Sequence, residues 1–321
     1  MGVSILNLKY SVLIATRNRP QKLGITLRSL VDSNIKPEQV IVVSSGDQIV
    51  DVINEYKKEI AITHLHIEGK GQIRQKMEGV KLILPTADWV AFLDDDVTLE
   101  PTAISNIFTT ILNHEENSRL LGVGFSERNA PINSQGRLVE IVHTIFGIST
   151  TRKGVVLSNG QGNNYMNSDV LLETSWLNGA SMWRKDVAKS YEIPFLAASY
   201  SACEDLIFSY QQSKKGLLIV DPTSQFTFQE RAETPHGNLD FFSSSTYWRM
   251  YFVLTNSELS ISAFLWAQIG RTIWFILSSH GSLREKLELS YSAFKILLDV
   301  YLLALKKVSP LAILEKRQNH T

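Results

Sequence analysis

The sequence holds a single cysteine, Cys203, in 321 residues. An internal disulfide framework is therefore excluded, and Cys203 reads as a small buried apolar side chain in a chain suited to a reducing compartment. There is no excess of either charge: 32 lysines and arginines meet 32 aspartates and glutamates. Nothing in that balance calls for a polyanionic partner, and no nucleic acid is expected. The N-terminal residues lack a basic start followed by a long apolar run, so no secretion signal is expected. Nor does an uncharged run reach bilayer length; the nearest, 261–279, carries Gln268 and Arg271, and a single-pass membrane protein is not expected. The expected location is cytoplasmic. Also missing are a G-x-G-x-x-G stretch, which disfavours a dinucleotide cofactor, Cys/His pairs at zinc spacing, and internal repeats.

What is present alternates. Apolar runs at 10–15, 40–43, 61–67 and 89–93 read as strands. Between them lie helical patterns: Leu23, Leu27 and Leu30 behind Pro20, a stretch to about Lys58, and 71–84 before Pro85. Strands alternating with helices predict a mainly parallel α/β sheet flanked by helices, with ligands at the carboxyl ends of the strands. Residues 126–170, rich in Asn, Gly and Ser, read as long loops near a site. Further on, 204–213 reads as a helix, 217–220 and 225–229 as two strands, and 241–305 as helical. The expected division is an α/β domain over 1–240 and a helical extension over 241–321.

The acids follow the fourth strand directly: Trp-Val-Ala-Phe-Leu runs into Asp94, Asp95 and Asp96. In an extended segment Asp94 and Asp96 share one side and Asp95 points away. Three adjacent carboxylates repel one another unless a cation or strong donors neutralise them, and their oxygens suit Mg²⁺ or Mn²⁺. The competing reading is an acidic turn capping the helix near Pro101.

Four segments, in this order, resemble the family-2 glycosyltransferases of the GT-A fold: 11–20 (SVLIATRNRP), 92–96 (FLDDD), 177–184 (LNGASMWR) and 204–206 (EDL). The resemblance spans roughly the first 230 residues. It implies transfer of a sugar from a nucleotide-diphosphate donor to an acceptor hydroxyl, usually with inversion, in polysaccharide or glycoconjugate synthesis. It further implies a GT-A (Rossmann-like) sheet, a DXD-type metal site at Asp94 and Asp96 for Mn²⁺ or Mg²⁺, and Asp205 as general base. The expected substrate-binding residues are Thr16, Arg17, Asn18, Arg19, Asp47, Arg74, Asp94, Asp95, Gly179, Ala180 and Glu204. The stretch 69–74 resembles the glycine-then-arginine stretch that family members set beside the nucleotide sugar, which implies phosphate contacts for Lys70 and Arg74; the competing reading is a solvated helix face. Two departures stand out. Ser44 and Ser45 occupy the place after strand two where the family often has an acid, with Asp47 the nearest carboxylate. Where many members have a histidine, this chain has Phe226, Phe228 and Gln229, and His236 follows slightly later.

The expected partners are the donor and a carbohydrate or lipid-linked acceptor. The aromatic and basic C-terminal helices add an expected peripheral membrane contact or homo-oligomer. Two other classes compete: a sugar nucleotidyltransferase, which calls for a Gly-, Arg- and Lys-rich loop after strand one that 16–20 does not show, and a non-catalytic sugar-binding subunit.

Overall fold

The computed structural model describes residues 7–114, 119–128, 130, 137–163, 165, 168–194, 202–229, 238–279 and 282–318. His236 lies outside them. The chain divides into two compact units: Met1–Ile132 with Asn164–Phe195 and Asp205–Glu230, and Asn133–Asn163 with Leu196–Glu204 and Arg231–Thr321.

The first unit is built on one mixed sheet. Strand β1 (Tyr10–Arg17) lies parallel to β2 (Gln39–Ser45) and β4 (Trp89–Asp94), and β2 lies parallel to β3 (Ile62–His66). Parallel central strands are covered on both faces, which is why β1 reads as an unbroken apolar run rather than an alternating one. Beyond β4 the sheet changes character. Strands β5 (Val97–Leu99), β6 (Leu120–Glu127), β7 (Leu172–Glu173), β8 (Ser181–Arg184) and β9 (Leu217–Phe228) give the order β3-β2-β1-β4-β8-β6-β9-β5, with β7 also on β9. Strand β8 runs antiparallel to both β4 and β6, while β6 and β9 are parallel.

Helices α1 (Pro20–Val31), α2 (Val50–Tyr56) and α4 (Ala103–Asn113) bury Leu23, Leu27, Ile53, Ile104 and Phe108 in one cluster with Val12, Ile14, Val40 and Val42. Each such side chain contributes about 1.5–3 kcal/mol on burial, so this cluster fixes the register of the strands that carry the site. Helix α3 (Gln72–Gly79) was expected to run to residue 84, but it tightens into a 3₁₀ turn at Val80–Leu82. A short helix α6 (Lys185–Lys189) follows β8, and α7 (Glu204–Ser213) packs Phe208 against Trp183, Tyr191 and Phe92.

Two expectations fail locally. The segments 217–220 and 225–229 form one strand, β9, whose pairing with β6 shifts register between Asp221 and Gln225. The interruption at Pro222–Ser224 looked like a turn in sequence; in the structure the buried Asp221 carboxylate accepts hydrogen bonds from Thr110, Thr223 and Ser224 and holds a bulge in place. The stretch 126–170, expected as loops, contains the end of β6 and helix α5 (Arg137–Ile145). Its contacts are remote in sequence: Trp266 Nε1 donates to the Ile145 carbonyl at 2.8 Å, and Trp274 meets His143 edge-on.

The second unit is helical. Helices α8 (Leu239–Leu254), α9 (Ile261–Ser278) and α10 (Leu283–Leu305) begin at side-chain caps, Asn238, Ser260 and Ser282, the last in a capping box with Glu285. With α11 (Pro310–Gln318) they enclose Tyr247, Met250, Phe264, Val300 and Ile313. By length and composition α9 could cross a membrane; its Gln268 and Arg271 donate instead to Thr246 and Ser245 of α8.

Candidate active site

Because β1 to β4 are parallel, their carboxyl ends share one edge. Register sets Thr16 beside Ser44, Ser44 beside His66, and Ala15 beside Asp94. The acids stand at this edge, as their place after an apolar run predicted.

The alternation expected along the triplet stops at Asp94. Asp95 and Asp96 form a turn before β5, so the three carboxyls take three environments. Asp94 accepts from Gln72 Nε2 at 3.0 Å. Asp95 is buried and accepts from the Thr16 hydroxyl at 2.6 Å and Arg19 Nη1 at 3.1 Å, while its carbonyl takes the Thr26 hydroxyl. Asp96 stands 3.5 Å from the same Arg19 nitrogen and 4.0 Å from Lys22 Nζ. Asp95 therefore does not point away to solvent: it is the anchor of the turn, because a buried carboxylate must find donors. Gln229 braces the turn from β9, its backbone N–H donating to the Asp96 carbonyl and its Nε2 to Thr26 and the Lys22 carbonyl. Its Oε1 is buried without a partner.

Asp205, at the start of α7, faces the group from the other side. Lys76 Nζ, 1% exposed, donates to Asp205 Oδ1 at 2.9 Å and lies over the Phe92 ring. Burial pushes the Asp94 carboxyl up to about 7; the Lys76 charge opposes this, and Asp205, Asp96 and Asp95 reinforce it. Asp96 is also raised, by burial and then by Asp95, against Arg19 and Lys22. Four carboxyls thus share three cations, and the cluster is short of positive charge.

Gly179 is required here by space. A Cβ at that position would come 2.3 Å from Asp94 Oδ2, so only glycine lets this backbone reach the acid. Its neighbour Ala180 instead packs into the sheet core, and Trp183, between β4 and β6, is core as well. Glu204 is buried beside Asp205 in sequence.

On the β1–β2 side, Asn18 adopts a left-handed conformation and its Oδ1 accepts the Asp47 N–H at 2.8 Å, joining the two loops. Arg17 Nε and Ser45 Oγ are buried with no partner among the described residues. Ser44 Oγ lies 2.8 Å from His64 Nε2 and 3.1 Å from His66 Nδ1. Burial lowers the His64 pKa and favours its neutral ring. The Asp47 side chain, Lys70 and Arg74 are exposed, with Arg74 donating to the Glu68 carbonyl.

The structure brings Thr16, Arg19, the three acids, Gly179 and Asp205 together. Lys76, Gln72 and the two histidines were not singled out as site residues from sequence. For Lys76 the available signal was a lysine on the buried face of α3, three positions after Ile73.

Oxygen donors at Asp94 and Asp96, raised pKa values and an orphaned Gln229 Oε1 fit a hard divalent cation. Among the described residues no group of three or more His, Cys, Asp or Glu is arranged to hold a metal. A cation there would need oxygens from a ligand as well.

Residues 11–154 match the family described as Glycosyl transferase family 2. A search of curated protein sequences returned no match. Among solved structures the chain is similar to S. aureus TarS 1-349, at 16% identity and TM-score 0.55 over 91% of this chain and 81% of that one. The same TarS region in complex with UDP gives 17% identity and TM-score 0.54 over the same shares. The mannosyltransferase PcManGT from Pyrobaculum calidifontis, in complex with GDP-Man and Mn²⁺, gives 10% and 0.55 over 94% and 88%. These structures and the chain share a GT-A-type fold, a mixed sheet flanked by helices.

Proposed function

We propose that the chain transfers a sugar, with inversion and with a divalent cation, from a nucleotide diphosphate to an acceptor hydroxyl in glycoconjugate or polysaccharide synthesis. The observation that carries this is the placement of Asp205 opposite Asp94, with Lys76 between their charges. In this reading Asp94 and Asp96 hold Mn²⁺ or Mg²⁺, which would offset charge on the leaving diphosphate. Arg19 and Lys22 keep the acid turn in place, and Thr16, Arg17 and Asn18 line the nucleoside. The acceptor oxygen bonds to the anomeric carbon as that carbon's bond to the diphosphate oxygen breaks, and Asp205 takes the acceptor proton. Lys76 fixes one oxygen of that carboxylate, which is 29% exposed and so within reach of an acceptor. The UDP and GDP-Man with Mn²⁺ bound by the two structural neighbours support this reading. Titration calorimetry with nucleoside diphosphates tests it: binding should require Mn²⁺ in wild type and be lost in Asp96→Ala. Equal, metal-independent binding in both ends the cation assignment.

We also assign the outer face of α10 to contact with a second copy of the chain. Leu287, Tyr291, Phe294, Leu298 and Leu305 are exposed and recur at steps of four, three, four and seven. That is the narrow seam of a helix pair, whereas a membrane-lying helix needs a broader apolar face.

A further inference from the structure

The helical unit contains a cavity of about 430 Å³ whose lining residues all belong to that unit and none to the acid site. Its walls include Phe242, Trp274 and Phe275, and two arginines, Arg249 of α8 and Arg271 of α9, also line it. Arg249 is only 8% exposed, and its Nε and Nη1 are buried with no hydrogen-bond partner among the described residues. Among the described residues the group that answers its charge is the Cys203 sulfur, and burial pulls its pKa down. Arg271 Nη2 donates to the Ser245 hydroxyl at 3.1 Å, while its Nη1 is buried without a partner among the described residues.

A buried guanidinium normally meets a carboxylate or a phosphate, because desolvating it without an acceptor is strongly unfavourable. Here two arginines with three unpartnered N–H-bearing nitrogens between them line one cavity with aromatic walls, and among the described residues no carboxylate answers Arg249. An apolar cavity built only for packing has no use for them, since a leucine or methionine fills such space without that cost. We infer that this cavity is a second ligand site, which takes a phosphoryl group through Arg249 and Arg271 and an aromatic or apolar substituent against Trp274 and Phe275. Phosphate has the oxygens to accept from all three nitrogens and the charge to offset both arginines. The site does not depend on the sugar-transfer reading, because the test is of binding.

Cys203, the chain's one cysteine, lines the cavity and reports its occupancy. The rate of its alkylation by uncharged N-ethylmaleimide is to be measured with inorganic phosphate, with phenyl phosphate, and with chloride at equal ionic strength. At ten times the dissociation constant a ligand occupying the cavity should slow alkylation about tenfold. The protection should vanish in Arg249→Met and in Arg271→Gln and persist in Asp96→Ala. Stronger protection by phenyl phosphate identifies a ring-bearing ester as occupant, and equal protection identifies free phosphate. No protection by either compound overturns the inference. So does protection that survives both arginine substitutions, or that is lost only in Asp96→Ala, because phosphate would then be acting elsewhere.

Discussion

Lys76 and Asp205 are 129 positions apart in the chain, yet Lys76 Nζ donates to Asp205 Oδ1 at 2.9 Å, from a lysine that is almost fully buried. The lysine charge also acts on Asp94, so one cation bonds to Asp205 and offsets the charge of Asp94. Removing it as Lys76→Met should misplace both. Since misplacing a reacting group costs rate more than donor binding, kcat should fall about tenfold or more while KM for the donor changes by less than about threefold. Steady-state kinetics checks this, and an unchanged kcat contradicts the role.

Gly179→Ala places a Cβ 2.3 Å from Asp94 Oδ2. The acid must shift, at an overpacking cost of about 1–3 kcal/mol. Chemical denaturation should show that loss, and nucleotide titration a weaker cation-dependent affinity. A variant unchanged in both shows that Asp94 has room to spare.

Asp94 sets a pH dependence of unusual sign. Its folded carboxyl titrates near 7, above the ordinary value of about 4 for a free aspartate. Between those values Asp94 binds more protons in the folded state than in the unfolded one, so it should lower metal-free stability as pH rises through that window. His64 and His143 contribute the opposite slope, since their lowered pKa values favour folding as pH rises. The Asp94 share is the difference between wild type and Asp94→Asn. A divalent cation competes with the proton and should flatten or reverse the slope. Melting temperatures from pH 5 to 8, with chelator and with Mn²⁺, read this directly. A pH slope that is the same in wild type and Asp94→Asn without metal goes against the assigned environment.

The seam on α10 predicts self-association. Sedimentation should show a dimer whose dissociation is promoted by Leu298→Glu, because a charge at a seam position is desolvated on pairing. A wild-type monomer that floats with anionic vesicles would instead assign the face to a membrane.

How much of this was legible in sequence follows the range of the forces involved. The strands at Tyr10, Val40 and Trp89 were readable because burial on both faces makes continuous apolar runs, whereas the strand at Ile62, at the sheet edge, is half-exposed and alternates with Thr63, His64 and His66. The position of Asp94 and Asp96 at a strand end was readable from the apolar run before them, whereas Asp205 was singled out only by the resemblance, because an acid at a helix start otherwise reads as a dipole contact. Lys76 was not, since its partner is remote and a lysine on a helix ordinarily faces solvent. Helix α5 was hidden for the same reason: Trp266 and Trp274, which pack on it, lie more than a hundred residues downstream. The separate environments of Asp95 and Asp96 depend on a turn that period-two alternation does not anticipate.

The central claim is that Asp205 accepts the acceptor proton, and the amide variant addresses it most directly. Asp205→Asn keeps the size of the side chain and an oxygen for Lys76, but cannot take the proton. Transfer rate, donor affinity and melting temperature should be measured on one preparation. The account predicts donor affinity and fold retained, with turnover lower by about 10²-fold or more. A stable variant that binds donor and transfers sugar at a near-normal rate would contradict it.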